Sequence, residues 1–162
     1  MKGADELFTH FKRLVEEPEF KGLKLVLVGK ERMEIPRHPA IKSLGFVSEE
    51  DKASALRAAT ALVTPSPFES LSMVTMEAGL CGKPVLVSQD CEVLARYVEE
   101  SGAGLAFRGY DGFRQAVGRI LKDPSGARAM GQKGREYVSA RFSWQPVLDI
   151  YEQVISQVAG RD

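Results

Sequence analysis

The stretch "ALVTPSPFESLSMVTMEAGLCGKPVLVS", Ala61–Ser88, decides how the rest of the chain is read. It opens on a short apolar run, Ala61–Pro67, closed by two prolines, and it ends on a second such run, Lys83–Ser88. Both read as strands. Between them Leu71–Cys81 reads as a helix, with Gly82 as its C-terminal stop. A strand, a helix and a second strand form a crossover unit whose strands lie parallel and whose hand is right.

Working outward, the same alternation continues on both sides. Upstream, Leu7, Phe8, Phe11, Leu14 and Val15 recur at helical spacing between Gly3 and Glu17, and Pro18 ends that helix. "LKLVLVGK" (Leu23–Lys30) reads as a strand buried on both faces. A Pro-containing loop or broken helix follows, then a strand at Ile41–Val47 and a helix through Ala59, with Ser48 and Asp51 as its N-cap signal. Downstream come a helix over Glu92–Glu100 and a short strand at Ala103–Phe107. After that the pattern is helical only, over Asp111–Lys122, Pro124–Arg141 and Ser143–Val158. The fold class is therefore α/β: a Rossmann-like parallel sheet with helices on both faces and a helical C-terminal tail. Ligands of such folds sit beyond the C-terminal strand ends, which here are Gly29-Lys30, Val47-Ser48, Pro65–Ser70 and Ser88–Cys91.

The chain has 162 residues, a length expected of one domain with a real core. Lys plus Arg and Asp plus Glu both number 22, so no basic excess marks a nucleic-acid surface. Two cysteines, Cys81 and Cys91, make neither a disulfide framework nor a zinc motif, and a reduced cytoplasmic setting is expected. No apolar run reaches membrane-spanning length, which leaves peripheral association of a larger protein open. The abrupt entry into a helix after Met1-Lys2-Gly3 reads as a fragment of a longer protein.

Glu77 is the only charge between Leu71 and Gly82. A helix so uniformly apolar is expected to be mostly buried, and a carboxylate there needs a partner. No cation lies three or four residues from it, and Lys83 is six beyond. Either Glu77 reaches out at the helix edge, or its partner is a ligand rich in hydroxyl donors. A carboxylate accepts two hydroxyl hydrogen bonds at once, so a vicinal diol such as a ribose suits it. Glu69, just before the helix, is explained in part by the helix dipole, worth about 0.3–1 kcal/mol. The N–H groups from Ser70 to Met73 are the unpaired donors of a helix's first turn, a natural phosphate site at a strand end. Eight helical steps from Glu69 to Glu77 would rise about 12 Å, the scale of a sugar–diphosphate–ribose unit.

Glu69, seven residues and Glu77 resemble the E-x7-E signature of retaining glycosyltransferases with the GT-B fold, the group 1 or family 4 enzymes. "SPFESLSMVTMEAGLCGKPVLVS", "LVLVGK", "IKSLGFVSEEDKASALRAATALVTPS" and "LKDPSGARAMGQKGREYVSARFSW" each resemble segments of that family. The resemblance covers nearly the whole chain. It implies a single nucleotide-sugar-binding domain, residues 1–162, forming the C-terminal half of a two-domain protein whose first strand here is truncated. The acceptor-binding N-terminal domain would be absent. It implies that Glu69 meets the donor sugar at the reacting anomeric centre and that Glu77 holds ribose hydroxyls. Ser70, Leu71, Ser72 and Met73 would supply main chain to sugar and diphosphate. Lys2, at the end of a Gly-Arg…Lys-Gly stretch, would meet the diphosphate, Lys30 is a candidate second cation, and main chain near Val47 and Lys30 would meet the base. No cofactor beyond the donor, a nucleotide-diphosphate sugar, is implied. No Asp-x-Asp occurs, so a metal-independent site is expected. The loop "SQDCEVLARY" lacks the family's paired glycines, and "LVLVGKERME" lacks its Gly-x-Gly-Pro.

A non-catalytic nucleotide-sugar-binding or regulatory module is the rival reading. An epimerase of the same fold would want further acids and histidines. Gly102-Ala103-Gly104 precedes a strand instead of following one and reads as a turn. His10 and His38 are expected on the surface, and Phe142 and Trp144 are expected to pack the last helix.

Overall fold

The computed structural model describes residues 3–31 and 33–160. Its elements, in order, are α1 (Ala4–Glu16), a 3-10 turn (Pro18–Phe20), β1 (Leu25–Leu27), β2 (Ile41–Ser43), α2 (Glu49–Ala58), β3 (Leu62–Thr64), α3 (Met73–Leu80), β4 (Val85–Ser88), α4 (Glu92–Ser101), β5 (Gly104–Phe107), α5 (Gly109–Lys122), α6 (Pro124–Phe142) and α7 (Trp144–Ala159). The Ser48 side chain caps α2 by accepting from the Asp51 N–H. Asp123 caps α6 in the same way from Gly126, with Pro124 at the first helical position.

All strand pairs are parallel, but they form two ladders. One is β1–β2; the other has the order β3–β4–β5. The single continuous sheet expected from the alternation is thus divided between β1 and β3. The two ladders still share a core. Leu14, Phe20, Leu86, Phe113 and Ile120 are buried together, and Leu25, Ile41 and Val63 pack against them. Each such side chain taken fully from water contributes about 1.5–3 kcal/mol. A second cluster, with Val85, Val87, Leu94, Ala78 and Val138, lies under α3, α4 and α6.

Several sequence expectations are corrected. β1 is not buried on both faces: Leu25 packs on the core cluster, but Val26 is 48% exposed. His10 is not a surface residue. Its ring lies 5.9 Å from that of Tyr110 and 6.1 Å from that of Phe113, and α5 covers it. Trp144 does not pack the last helix, because α7 buries none of its residues and Trp144 is 81% exposed. The helix predicted over Leu71–Cys81 starts two residues later, since Ser72 is extended (φ −91°, ψ 98°) and acts as its N-cap residue. Only one side of α3 is buried. Thr75, Met76, Ala78 and Gly79 face inward, whereas Met73, Val74 and Leu80 are exposed.

Glycines set the inward side of α3. A Cβ on Gly134 of α6 would lie 3.4 Å from the Gly79 Cα, and one on Gly131 would meet the Gly82 carbonyl oxygen at 2.0 Å. α3 and α6 therefore approach backbone to backbone. Between α1 and α5, the Tyr110 hydroxyl and Arg114 Nε both donate to the carboxylate of Glu17, the C-cap residue of α1. These donors hold its carboxyl below the usual carboxylate range.

Gly131→Ala should destabilise by about 1–3 kcal/mol through the backbone clash. Gly112→Ala, whose Cβ meets only ordinary contacts at 3.6 Å or more, should instead stabilise by about 0.5–1 kcal/mol. Urea midpoints of the two variants check both signs. Because Glu17's pKa is depressed on folding, its stabilisation is present above the ordinary carboxylate range and is lost as pH falls through its folded value. The midpoint difference between wild type and Glu17→Gln should accordingly shrink on acidification from neutral pH.

Candidate functional site

The segment between β3 and α3 carries most of the candidate residues. Ser66, 3% exposed, donates its hydroxyl to the Phe68 carbonyl at 2.9 Å and so shapes the turn after β3. Beyond it, three hydroxyls form a buried chain. Thr75 Oγ1 donates to Ser72 Oγ at 2.9 Å, and the Thr64 and Thr75 hydroxyls lie 3.4 Å apart. This chain ties the first turn of α3 to the last residue of β3. It also diverts the Ser72 side chain, which makes no cap bond to the helix backbone. Among the described residues no protein acceptor takes the N–H groups of Ser70, Leu71, Ser72, Met73 or Val74.

A cavity of about 390 Å³ opens there, lined by Val63–Ser66, Glu69 and Leu71–Val74. Glu69 is half-buried in its wall. Ser70 and Leu71 are exposed beside it, Ser72 is buried and Met73 is 63% exposed. The structure therefore brings Glu69 and the Ser70–Met73 turn to one concave surface at the carboxyl end of β3.

Glu77 lies four residues after Met73, hence about one turn and 6 Å into α3. The expectation that no protein cation would meet it is corrected. Lys52 of α2 donates to Glu77 Oε1 at 2.9 Å and lies 2.6 Å from Glu49 Oε2. The Lys52 and Glu77 side chains are 28% and 29% exposed. Glu49 and then Glu77 hold the Lys52 ammonium above the usual lysine range. Sequence reasoning looked for a cation along the helix itself and missed one on a neighbouring helix. The cue was indirect: the capped first turn of α2 places Lys52 one turn beyond Ser48, at the same end of the molecule as the strand ends.

Other candidates are placed apart from this group. Lys30 is exposed beyond the end of β1, and Val47 is half-buried just before α2. The prediction for Lys2 falls outside the described residues. Neighbouring Gly3 backs onto Pro65 so closely that a Cβ would meet the Pro65 carbonyl oxygen at 2.2 Å. The loop after β4 is held by Asp90, whose Oδ1 accepts from Arg108 Nε at 2.8 Å. Among the described residues no group of three or more His, Cys, Asp or Glu side chains has metal-binding geometry. No helix among them is long and apolar enough to cross a membrane.

Comparison with known proteins decides the lineage. The model of "Glycosyl transferases group 1" matches residues 1–137. The chain belongs to the group 1 glycosyltransferases. Within this family it is 29% identical, over 99% of its length, to an MMP alpha-(1->4)-mannosyltransferase of Mycolicibacterium hassiacum, of which it covers 42%. It is 32% identical, over 67% of its length, to a D-inositol 3-phosphate glycosyltransferase of Salinispora tropica, covering 23% of that protein. Among solved structures it superimposes on a sucrose-phosphate synthase from Thermosynechococcus elongatus with a TM-score of 0.82 and 26% identity, covering 99% of this chain and 43% of that one. Anabaena HepE in complex with UDP-glucose shares the fold, with a TM-score of 0.74 at 20% identity over 98% of this chain and 45% of its own. This group 1 chain thus spans less than half the length of these relatives, and it matches their C-terminal, GT-B-type half.

Glu77 keeps Lys52 company but does not hold it alone, since Glu49 is the closer partner. Replacing Glu77 by Gln should therefore cost less than about 1 kcal/mol of stability. A thermal-unfolding comparison checks this; a large fall in midpoint would mark Glu77 as a structural group.

Proposed function

We propose that this chain is the donor-binding half of a retaining glycosyltransferase, which moves a sugar from a nucleotide-diphosphate sugar to an acceptor held by an N-terminal domain. The observation that carries the reading is the amino end of α3: N–H groups with no protein acceptor among the described residues, a cavity walled by Glu69, and Glu77 one turn further in. The fold shared with HepE, a protein captured with UDP-glucose, supports it. On this reading the domain runs over residues 1–162. β1 and β3 share a core but are not paired to each other, and one further strand from the rest of the protein would pair between them. Cys81 and the buried Cys91 are free thiols, which suits a cytoplasmic setting.

The chemistry then follows from charge placement. The diphosphate lies on the N–H groups of Ser70–Met73 with Lys30 and Lys2 as cations, main chain near Val47 and Lys30 meets the base, and Glu77 takes ribose hydroxyls. Fixed donors at the point where negative charge develops stabilise the leaving diphosphate without a metal ion, and the sequence has no Asp-x-Asp to hold one. The bond from the anomeric carbon to the diphosphate oxygen breaks. The acceptor oxygen forms the new bond on the same face, and its proton passes to the leaving phosphate oxygen. Glu69 stabilises the positive charge on the sugar ring while this happens. Glu77 is already engaged by Lys52, which fits a binding role better than service as the second member of a retaining carboxylate pair about 5–5.5 Å apart.

The test uses the full-length protein and a panel of UDP, GDP and ADP sugars. Glu69→Gln should lower the transfer rate at saturating donor by about 10²–10³-fold. The product should keep the donor's anomeric configuration by NMR, and chelator should leave the rate unchanged. Donor binding without any transfer would reduce the chain to a nucleotide-sugar-binding module, and an inverted product would overturn the mechanism.

A further inference from the structure

Lys52 is not explained by the proposed chemistry, yet it is the protein's own partner for Glu77. It reaches across from α2 to α3, is about three-quarters buried, and has a second carboxylate, Glu49 Oε2, 2.6 Å away on its own helix. Its ammonium is thereby held from two sides, and α2 is itself fixed by the Ser48 cap. A carboxylate with one oxygen pinned in this way has lost most of its rotational freedom. Only Glu77 Oε2 and the remaining lone pair of Oε1 stay available to hydroxyl donors.

We propose that Lys52 is a positioning residue that orients the Glu77 carboxylate for a vicinal diol and so sets the preference for a ribose over a deoxygenated sugar ring. The inference rests on the reading of Glu77 as the ribose contact. It predicts where selectivity resides: the ion pair between the helices is formed before ligand arrives, and the diol meets an acceptor whose orientation is already set. Lys52 itself touches no substrate. An arginine would keep a charge-assisted donor at this position.

The experiment measures binding to the full-length protein by calorimetry. UDP, GDP and ADP are compared, and the tightest is paired with its 2′,3′-dideoxy counterpart. Lys52→Met should weaken the ribonucleotide about tenfold, as expected for hydrogen bonds to a charged group, and leave the dideoxynucleotide within about twofold. Lys52→Arg should restore most of the ribose preference. Equal weakening of both ligands by Lys52→Met, with a lowered thermal midpoint, would make Lys52 merely structural and overturn the inference. Unchanged or tighter ribonucleotide binding would overturn it as well. The reading of Glu77 fails separately: wild type that binds both ligands equally, or binds none of the panel, sinks that reading, whereas loss of preference in Glu77→Gln but not in Lys52→Met sinks only the role of Lys52.

Discussion

The junction between β3 and α3 is held by three buried hydroxyls, and the rest of the site depends on it. Thr64 closes the strand, Thr75 sits fully buried in the first turn of the helix, and Ser72 accepts between strand end and helix start. Polar groups at such depth are tolerated only because they satisfy one another. Together they draw Ser72 away from capping the helix backbone, and among the described residues the N–H groups of Ser70–Val74 find no protein acceptor. The glycine crossing packs the inward face of α3 against α6, backbone to backbone. The helix therefore has little freedom to shift, and its amino end stays aimed at the cavity walled by Glu69.

Charge is distributed around that fixed helix in a consistent way. The first turn of α2 carries Glu49, Glu50 and Asp51, which favours its positive dipole end, and one of these acids also anchors Lys52. Lys52 then compensates Glu77, which α3 alone leaves unpaired. The carboxylate is neither isolated in apolar surroundings nor sealed in an ion pair, since more than a quarter of its side chain remains exposed. On the proposed reading, that intermediate state lets the group be paired by the protein and still accept hydroxyls from a ligand. The outward side of the same region is apolar, with Phe46, Phe68, Leu71 and Met73 exposed on the segments that follow β2 and β3.

Much of this was legible in the sequence, for physical reasons. Apolar β-branched runs, helix periodicity and the Ser48 and Pro124 signals are local, and they located every strand and α-helix to within a few residues. The position of Glu69 at a strand end and of Glu77 in an apolar helix was equally local. What escaped was non-local. Lys52 meets Glu77 across 25 residues of chain, and no periodicity encodes a contact between two helices. The division of the sheet between β1 and β3 depends on which strands pair, which composition does not report. Val26 and Trp144 are apolar yet exposed, because an apolar side chain is buried only where another element covers it. His10 is the opposite case: a polar residue on α1 is covered by Tyr110 and Phe113 of α5.

The most direct measurement is a crystal structure of the full-length protein with a bound nucleotide-diphosphate sugar. The expected density has the diphosphate over the Ser70–Met73 amides, both ribose hydroxyls within hydrogen-bond reach of Glu77, and Lys52 still on its other carboxylate oxygen. A ribose bound away from Glu77, or a diphosphate that leaves those amides facing only solvent, would contradict the site described here.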